Sequence, residues 1–104
     1  MPGKTLVPLT VNLARQEGVE YRSVLLSVSS TQIRLSTTDA GPKVLRFWQH
    51  EEYEFWVDVT AAGVPSLILA LLKEKYQGNL SAVDEFRSFC KENNVPHEFM
   101  TWSS

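Results

Sequence analysis

The first sixty residues alternate between hydrophobic and polar side chains, which is the period of a β-strand. The alternating segments are residues 7–13, 24–28, 32–36, 43–49 and 53–59. Short polar connections separate them. Gly41-Pro42 is the strongest turn signal, because Gly supplies a positive φ and Pro restricts its own φ. Short connections between successive strands predict an antiparallel meander.

The period becomes helical after the fifth segment. Hydrophobic side chains recur at helical spacing from Leu67 to Tyr76, and Gly78 predicts the end of this helix. Ser81 is a suitable N-cap for a second, amphipathic helix, which Asn93-Asn94 can end because Asn tolerates the left-handed conformation. A last short strand is predicted at residues 97–102.

This order of elements predicts an α+β fold. A mostly antiparallel sheet of about five to six strands is expected to carry two helices packed on one face. The chain has 104 residues, the usual size of one domain, so we expect residues 1–104 to form a single α+β domain. The hydrophobic fraction of 43% with a net charge of only -2 excludes a disordered chain.

Charge and hydropathy restrict the partners. The basic residues are scattered and fewer than the acidic ones, 10 against 12, which argues against nucleic acid. The longest strongly apolar run, residues 64–72, is too short to cross a membrane, and the N-terminus does not have the pattern of a signal peptide. Cys90 is the only cysteine, so no disulfide forms within the chain. We therefore expect a cytoplasmic protein.

The residues that carry chemistry are few. His50 and His97 lack the spacing of a metal site, so neither a metal nor a cofactor is predicted. Cys90 lies on the inner stripe of the second helix and is interpreted as a packed core residue. No nucleophile motif or phosphate-binding loop occurs. The acidic residues of the fifth segment and its approach are Glu51, Glu52, Glu54 and Asp58. We interpret them as a solvated surface rather than as acid–base catalysts, so the chain is not expected to be an enzyme.

The fifth segment suggests a binding surface. Strand alternation places Tyr53, Phe55, Val57 and Val59 on one face, which we expect to join the core. The opposite face carries Glu52, Glu54, Trp56 and Asp58. A tryptophan is a favoured interface anchor, and acids around it would select a basic partner. The alternative is that another part of the chain covers Trp56, which would make it a core residue.

Trp48 is a second candidate. If residues 43–49 and 53–59 form a hairpin, Trp48 lies near Trp56, and Arg46 pairs with the acids of the neighbouring strand in a structural contact. Glu51 lies in the connection of that hairpin. The predicted partner-binding residues are thus Trp48, Glu51, Glu52, Glu54, Trp56 and Asp58.

Four short stretches also suggest a family. They are residues 54–57 (EFWV), 75–78 (KYQG), 84–90 (DEFRSFC) and 94–99 (NVPHEF). In these four stretches the sequence resembles bacterial immunity proteins of contact-dependent growth inhibition and polymorphic toxin systems, which are encoded beside secreted toxins. The resemblance covers less than half of the chain. The resemblance implies a non-enzymatic cytosolic protein that binds and blocks one toxin domain. Many such toxins are nucleases with basic clefts, which an acidic surface would suit.

Two other functions fit the same residues. One is a small homodimeric ligand-binding or regulatory module that associates through the helix-free sheet face or through the surface of Trp48 and Trp56. The other is a small hydrolase or isomerase whose site is assembled from His50, Glu52 and His97. A gene for a large secreted protein beside this one would favour the immunity protein, and a metabolic operon would favour the others.

Overall fold

A computed structural model describes residues 8–48 and 51–103 and confirms the α+β class. The strands are β1 (Leu9–Gln16), β2 (Tyr21–Val28), β3 (Gln32–Ala40) and β4 (Glu52–Thr60). The helices are α1 (Pro42–Trp48), α2 (Val64–Tyr76) and α3 (Ala82–Glu92), and a short 3-10 helix (Ala61–Gly63) precedes α2. Within the described ranges the sheet therefore has four strands rather than five or six, and there are three α-helices rather than two.

The chain divides into two compact units. The first, Met1–Leu67, holds the sheet and α1. The second, Ile68–Ser104, holds most of α2 and all of α3. The single domain and the packing of two helices on one sheet face stay predictions. No helix in the described part of the chain is long and apolar enough to span a membrane.

The sheet is an antiparallel meander in the order β1-β2-β3-β4, as the short connections predicted. Its register defines two faces. The polar face carries Thr10, Asn12, Ser23, Leu25, Ser27, Arg34, Ser36, Thr38, Glu52, Glu54, Trp56 and Asp58. The apolar face carries Leu9, Val11, Val24, Leu26, Val28, Ile33, Leu35, Phe55, Val57 and Val59. The predicted alternation of the strand residues is confirmed.

The prediction of a strand at residues 43–49 is wrong, because residues 43–48 belong to α1; residue 49 lies outside the described residues. Pro42 is the first helical residue, where its missing N–H costs nothing, and the Leu45 N–H donates to the Gly41 carbonyl at 3.1 Å. The hydrophobic positions 44, 45, 47 and 48 fit a helical period as well as a strand period. The predicted hairpin that would bring Trp48 beside Trp56 does not form, since β4 pairs with β3.

Gly41 makes the junction between β3 and α1 possible. Its φ of 128° is strained for residues with a side chain, and a Cβ there would lie 2.5 Å from the Val19 carbonyl oxygen. Beside it, the Glu20 carboxylate accepts a hydrogen bond from the Lys43 N–H at 3.0 Å, and Val44 is buried. The turn between β1 and β2 therefore packs against the first turn of α1.

The ends of α2 and α3 confirm the sequence signals. Gly78, with φ 79°, follows α2, and Asn94, with φ 55°, follows α3. Ser81 occupies the N-cap position of α3, but its side chain makes no capping hydrogen bond. Its own N–H donates to the Asn79 side chain at 2.8 Å instead. Cys90 is 3% exposed, in agreement with its interpretation as a packed residue.

The strand predicted at residues 97–102 is also wrong, since this segment has no regular structure. It makes local contacts in the second unit, which has no strand among its described residues. The Arg87 guanidinium lies 4.0 Å from the Phe99 ring centroid, and His97 Nδ1 lies 2.7 Å from the Val95 carbonyl oxygen. A strand needs a hydrogen-bonded neighbour, and none is present in this unit.

Candidate functional site

Trp56 lies on the polar face, midway along the edge strand β4. The register aligns it with Ser36 on β3 and Leu25 on β2. It is 51% exposed, although it is among the largest side chains on the sheet. Trp56 is therefore half-buried by its strand neighbours and leaves half of its surface for contact with another molecule.

Arg34 holds the indole of Trp56. The guanidinium carbon lies 5.0 Å from the centroid of the indole ring, within the range of a cation–π contact. The same guanidinium donates two hydrogen bonds to Asp58, from Nε to Oδ1 at 2.6 Å and from Nη2 to Oδ2 at 2.8 Å. Gln32 Nε2 donates to Asp58 Oδ1 at 3.3 Å. Asp58 thus fixes the fork of Arg34, and Arg34 restricts the orientation of Trp56.

The ion pair also changes the electrostatics of this end of the surface. The hydrogen bonds from Arg34 lower the pKa of Asp58 below its ordinary value, and the bond to Asp58 raises the pKa of Arg34. Both groups stay charged, and their charges compensate each other. Asp58 is therefore an internal partner of Arg34 rather than an acid that is open to a basic ligand.

The other end of the surface keeps its negative charge. Thr38 Oγ1 donates to Glu54 Oε1 at 3.3 Å, and because the hydroxyl donor carries no charge, the carboxylate charge stays uncompensated. Glu51 and Glu52 are exposed and form no ion pair with any described residue. The surface is thus acidic at the start of β4, apolar at Trp56 and electrically compensated at Asp58.

The structure places the six predicted partner-binding residues unequally. Glu52, Glu54, Trp56 and Asp58 share the polar face, and Glu51 precedes β4. Trp48 ends α1, and its side chain lies outside the described part of the structure. Arg34 was not among the predicted residues, because the strand expected at residues 43–49 made Arg46 the partner of these acids. Arg34 lies on the same face as Ser36, so the alternation of β3 indicated that Arg34 belongs to the polar face.

The proposed acid–base site gains no support from the described residues. His97 contacts the Val95 carbonyl, and His50 lies outside the described residues. No group of three or more His, Cys, Asp or Glu side chains within residues 8–48 and 51–103 is arranged to hold a metal ion. The second unit has an open cleft of about 440 Å³ beside Tyr76 and Phe89. The Lys75 ammonium lies 4.9 Å from the Phe89 ring centroid, so this face of the ring already has a cation–π partner within the chain.

Comparison with known proteins adds no identification: no family model, no curated protein and no solved structure matches this chain.

Proposed function

We propose that this protein is a non-enzymatic cytoplasmic binding protein that neutralises a basic toxin domain, in the manner of an immunity protein, through the polar face around Trp56. The observation that carries the proposal is a half-exposed Trp56 held by the Arg34–Asp58 ion pair. The sequence resemblance to immunity proteins supplies the class of partner.

A tryptophan side chain that is already restricted in the unbound protein loses less conformational entropy on binding than a mobile one. Binding costs conformational entropy for every side chain that becomes immobile in the complex. Arg34 and Asp58 already restrict Trp56 before a partner arrives, because the bidentate ion pair determines where the guanidinium lies against the ring. Anchors of this kind, large aromatic groups near the centre of an interface, carry most of the binding energy in protein complexes.

The charge distribution supports a basic partner. Glu51, Glu52 and Glu54 form the acidic end of the surface, and each keeps an uncompensated carboxylate. Enzymes that act on nucleic acids present lysine and arginine side chains to the phosphate backbone. An acidic surface would steer association with such a cleft and block the residues that bind phosphates. A nuclease domain is therefore the favoured class of toxin.

Co-expression tests the proposal. The C-terminal domain of a large secreted protein encoded beside this gene is produced in bacteria with or without this chain, and growth is measured together with affinity by calorimetry. We expect the chain to restore growth and Trp56→Ala to reduce protection, whereas Trp102→Ala, a change at an exposed tryptophan in the other unit, should protect fully. Full protection by Trp56→Ala would contradict the proposed surface. Failure of the unchanged protein to bind the domain would contradict the proposed function.

The alternative is a small homodimeric ligand-binding or regulatory module. The observation that favours it is the exposed apolar face of the sheet, on the side opposite Trp56. Self-association through that face is compatible with either function.

A further inference from the structure

The apolar face of the sheet is continuous across all four strands. Val11 is aligned with Leu26, Leu26 with Leu35, and Leu35 with Val57, so one row of aliphatic side chains crosses the sheet. A second row of four aliphatic side chains lies two residues away along each strand. An antiparallel sheet normally buries one such face. The sequence predicted burial of this face for the same reason.

The face is nevertheless exposed in the first unit. Val57 is 68% exposed and Leu35 is 45% exposed, although Leu35 belongs to an inner strand. Contiguous apolar patches of more than a few hundred Å² are rare on monomers and mark sites of interaction. The face is therefore expected to be covered by another surface.

The size of the face suits a protein interface. Its strands have 8 or 9 residues. At about 3.4 Å per residue and about 4.8 Å between strands, the four strands cover a flat area of about 500 Å². The relief of the side chains adds accessible area, which brings the face toward the roughly 800 Å² per partner that a standard interface buries.

The charges on this face point to a second copy of the chain. At one end of the sheet, Arg22 on β2 donates two hydrogen bonds to Asp39 on β3, both at 2.6 Å. These are the only charged side chains on this face in the aligned rows of the described strands, so the face has no net charge. It offers nothing that would select an acidic or a basic partner, and two copies would not repel each other.

We propose that the apolar faces of two copies pack against each other about a two-fold axis that runs parallel to the strands. This operation places β2 of one copy over β3 of the other and keeps each row opposite itself. Leu26 then lies over Leu35 of the second copy. Arg22 lies over Asp39 of the second copy, so the two ion pairs form an alternating array across the interface. Sheets pack in this aligned manner about 10 Å apart in β-sandwiches.

The dimer goes beyond the proposed function and does not depend on it. The polar face with Trp56 points away from the interface in both copies, because the two faces of a sheet point in opposite directions. Each dimer would thus present two separate Trp56 surfaces.

Sedimentation equilibrium of the full chain tests the dimer, from about 1 to about 200 µM. The unchanged protein should show twice the chain mass of 11.8 kDa at the upper concentrations. Leu35→Lys and Leu25→Lys form a matched pair, because these leucines lie on adjacent strands and opposite faces and are 45% and 39% exposed. We expect Leu35→Lys to raise the dimer dissociation constant at least about a hundredfold, since each copy then buries a charge, and Leu25→Lys to leave it unchanged.

A monomer at every concentration overturns the proposal, as do equal effects of the two lysine variants. Circular dichroism checks that each variant is folded. If Leu35→Lys does not fold, Val57→Lys decides, because a side chain that is 68% exposed on the sheet can be replaced at small cost to folding. A folded Val57→Lys variant that dimerises as tightly as the unchanged protein overturns the proposed interface.

Discussion

Replacement of Trp56 by alanine separates a binding surface from a core residue. A tryptophan side chain has about 250 Å² of surface, and 51% exposure leaves about half of it buried in the fold. At about 25 cal/mol per Å², this burial corresponds to about 3 kcal/mol as an upper limit. The unfolded chain also buries part of this surface, and alanine keeps its Cβ in place. We therefore expect Trp56→Ala to lower the free energy of unfolding by about 1–2 kcal/mol.

The effect on binding should be larger. A central aromatic anchor contributes about 2 kcal/mol or more, so the dissociation constant for the toxin domain should rise about thirtyfold or more. Urea unfolding followed by circular dichroism gives the stability, and calorimetry gives the affinity. Trp56→Phe is a useful control, since it keeps a ring for Arg34 to contact and should lose less affinity than Trp56→Ala.

Either of two results would refute this reasoning. A loss of about 3–5 kcal/mol of stability is the cost of removing a tryptophan from a core, and would mean that Trp56 is buried in the folded protein. An unchanged affinity in a stably folded Trp56→Ala variant would mean that the partner binds elsewhere.

Three further predictions concern the folded chain itself. Asp58 has a pKa below its ordinary value of 3.8, so its contribution to stability is present above that pH and is lost as the pH falls through the lowered pKa. Asp58→Asn should therefore be less stable than the unchanged protein at neutral pH and equally stable in strong acid. Urea titrations that show a constant difference in stability across this pH range would contradict the ion pair. Gly41→Ala should destabilise by at least about 1–3 kcal/mol, because its positive φ and the nearby Val19 carbonyl exclude a side chain; unchanged urea stability would show that the β3–α1 junction is different. Cys90→Ala should cost on the order of 1 kcal/mol and leave partner binding intact, and rapid labelling of the native thiol would show that Cys90 is not packed.

Much of the fold follows from local patterns in the sequence. The alternation of hydrophobic and polar residues predicted four of the strands and the two faces of the sheet, because the side chains of a strand point to opposite faces in turn. The ends of α2 and α3 could be predicted from Gly78 and Asn94, since these residues tolerate the positive φ that often follows a helix. Likewise, the period of β4 alone was enough to predict which of its residues share the polar face, namely Glu52, Glu54, Trp56 and Asp58.

The tertiary structure decided what a local pattern leaves open. Residues 43–49 fit either period, and Pro42 together with the close approach of Val19 and Glu20 to Gly41 made residues 43–48 a helix. Residues 97–102 had strand-forming residues but no strand beside them in their unit. The partner of Trp56 and Asp58 also depended on which strand lies next to β4. Since residues 43–48 are helical, β3 lies beside β4 and brings Arg34, rather than Arg46, to the site, because a sheet brings together residues that are distant in sequence.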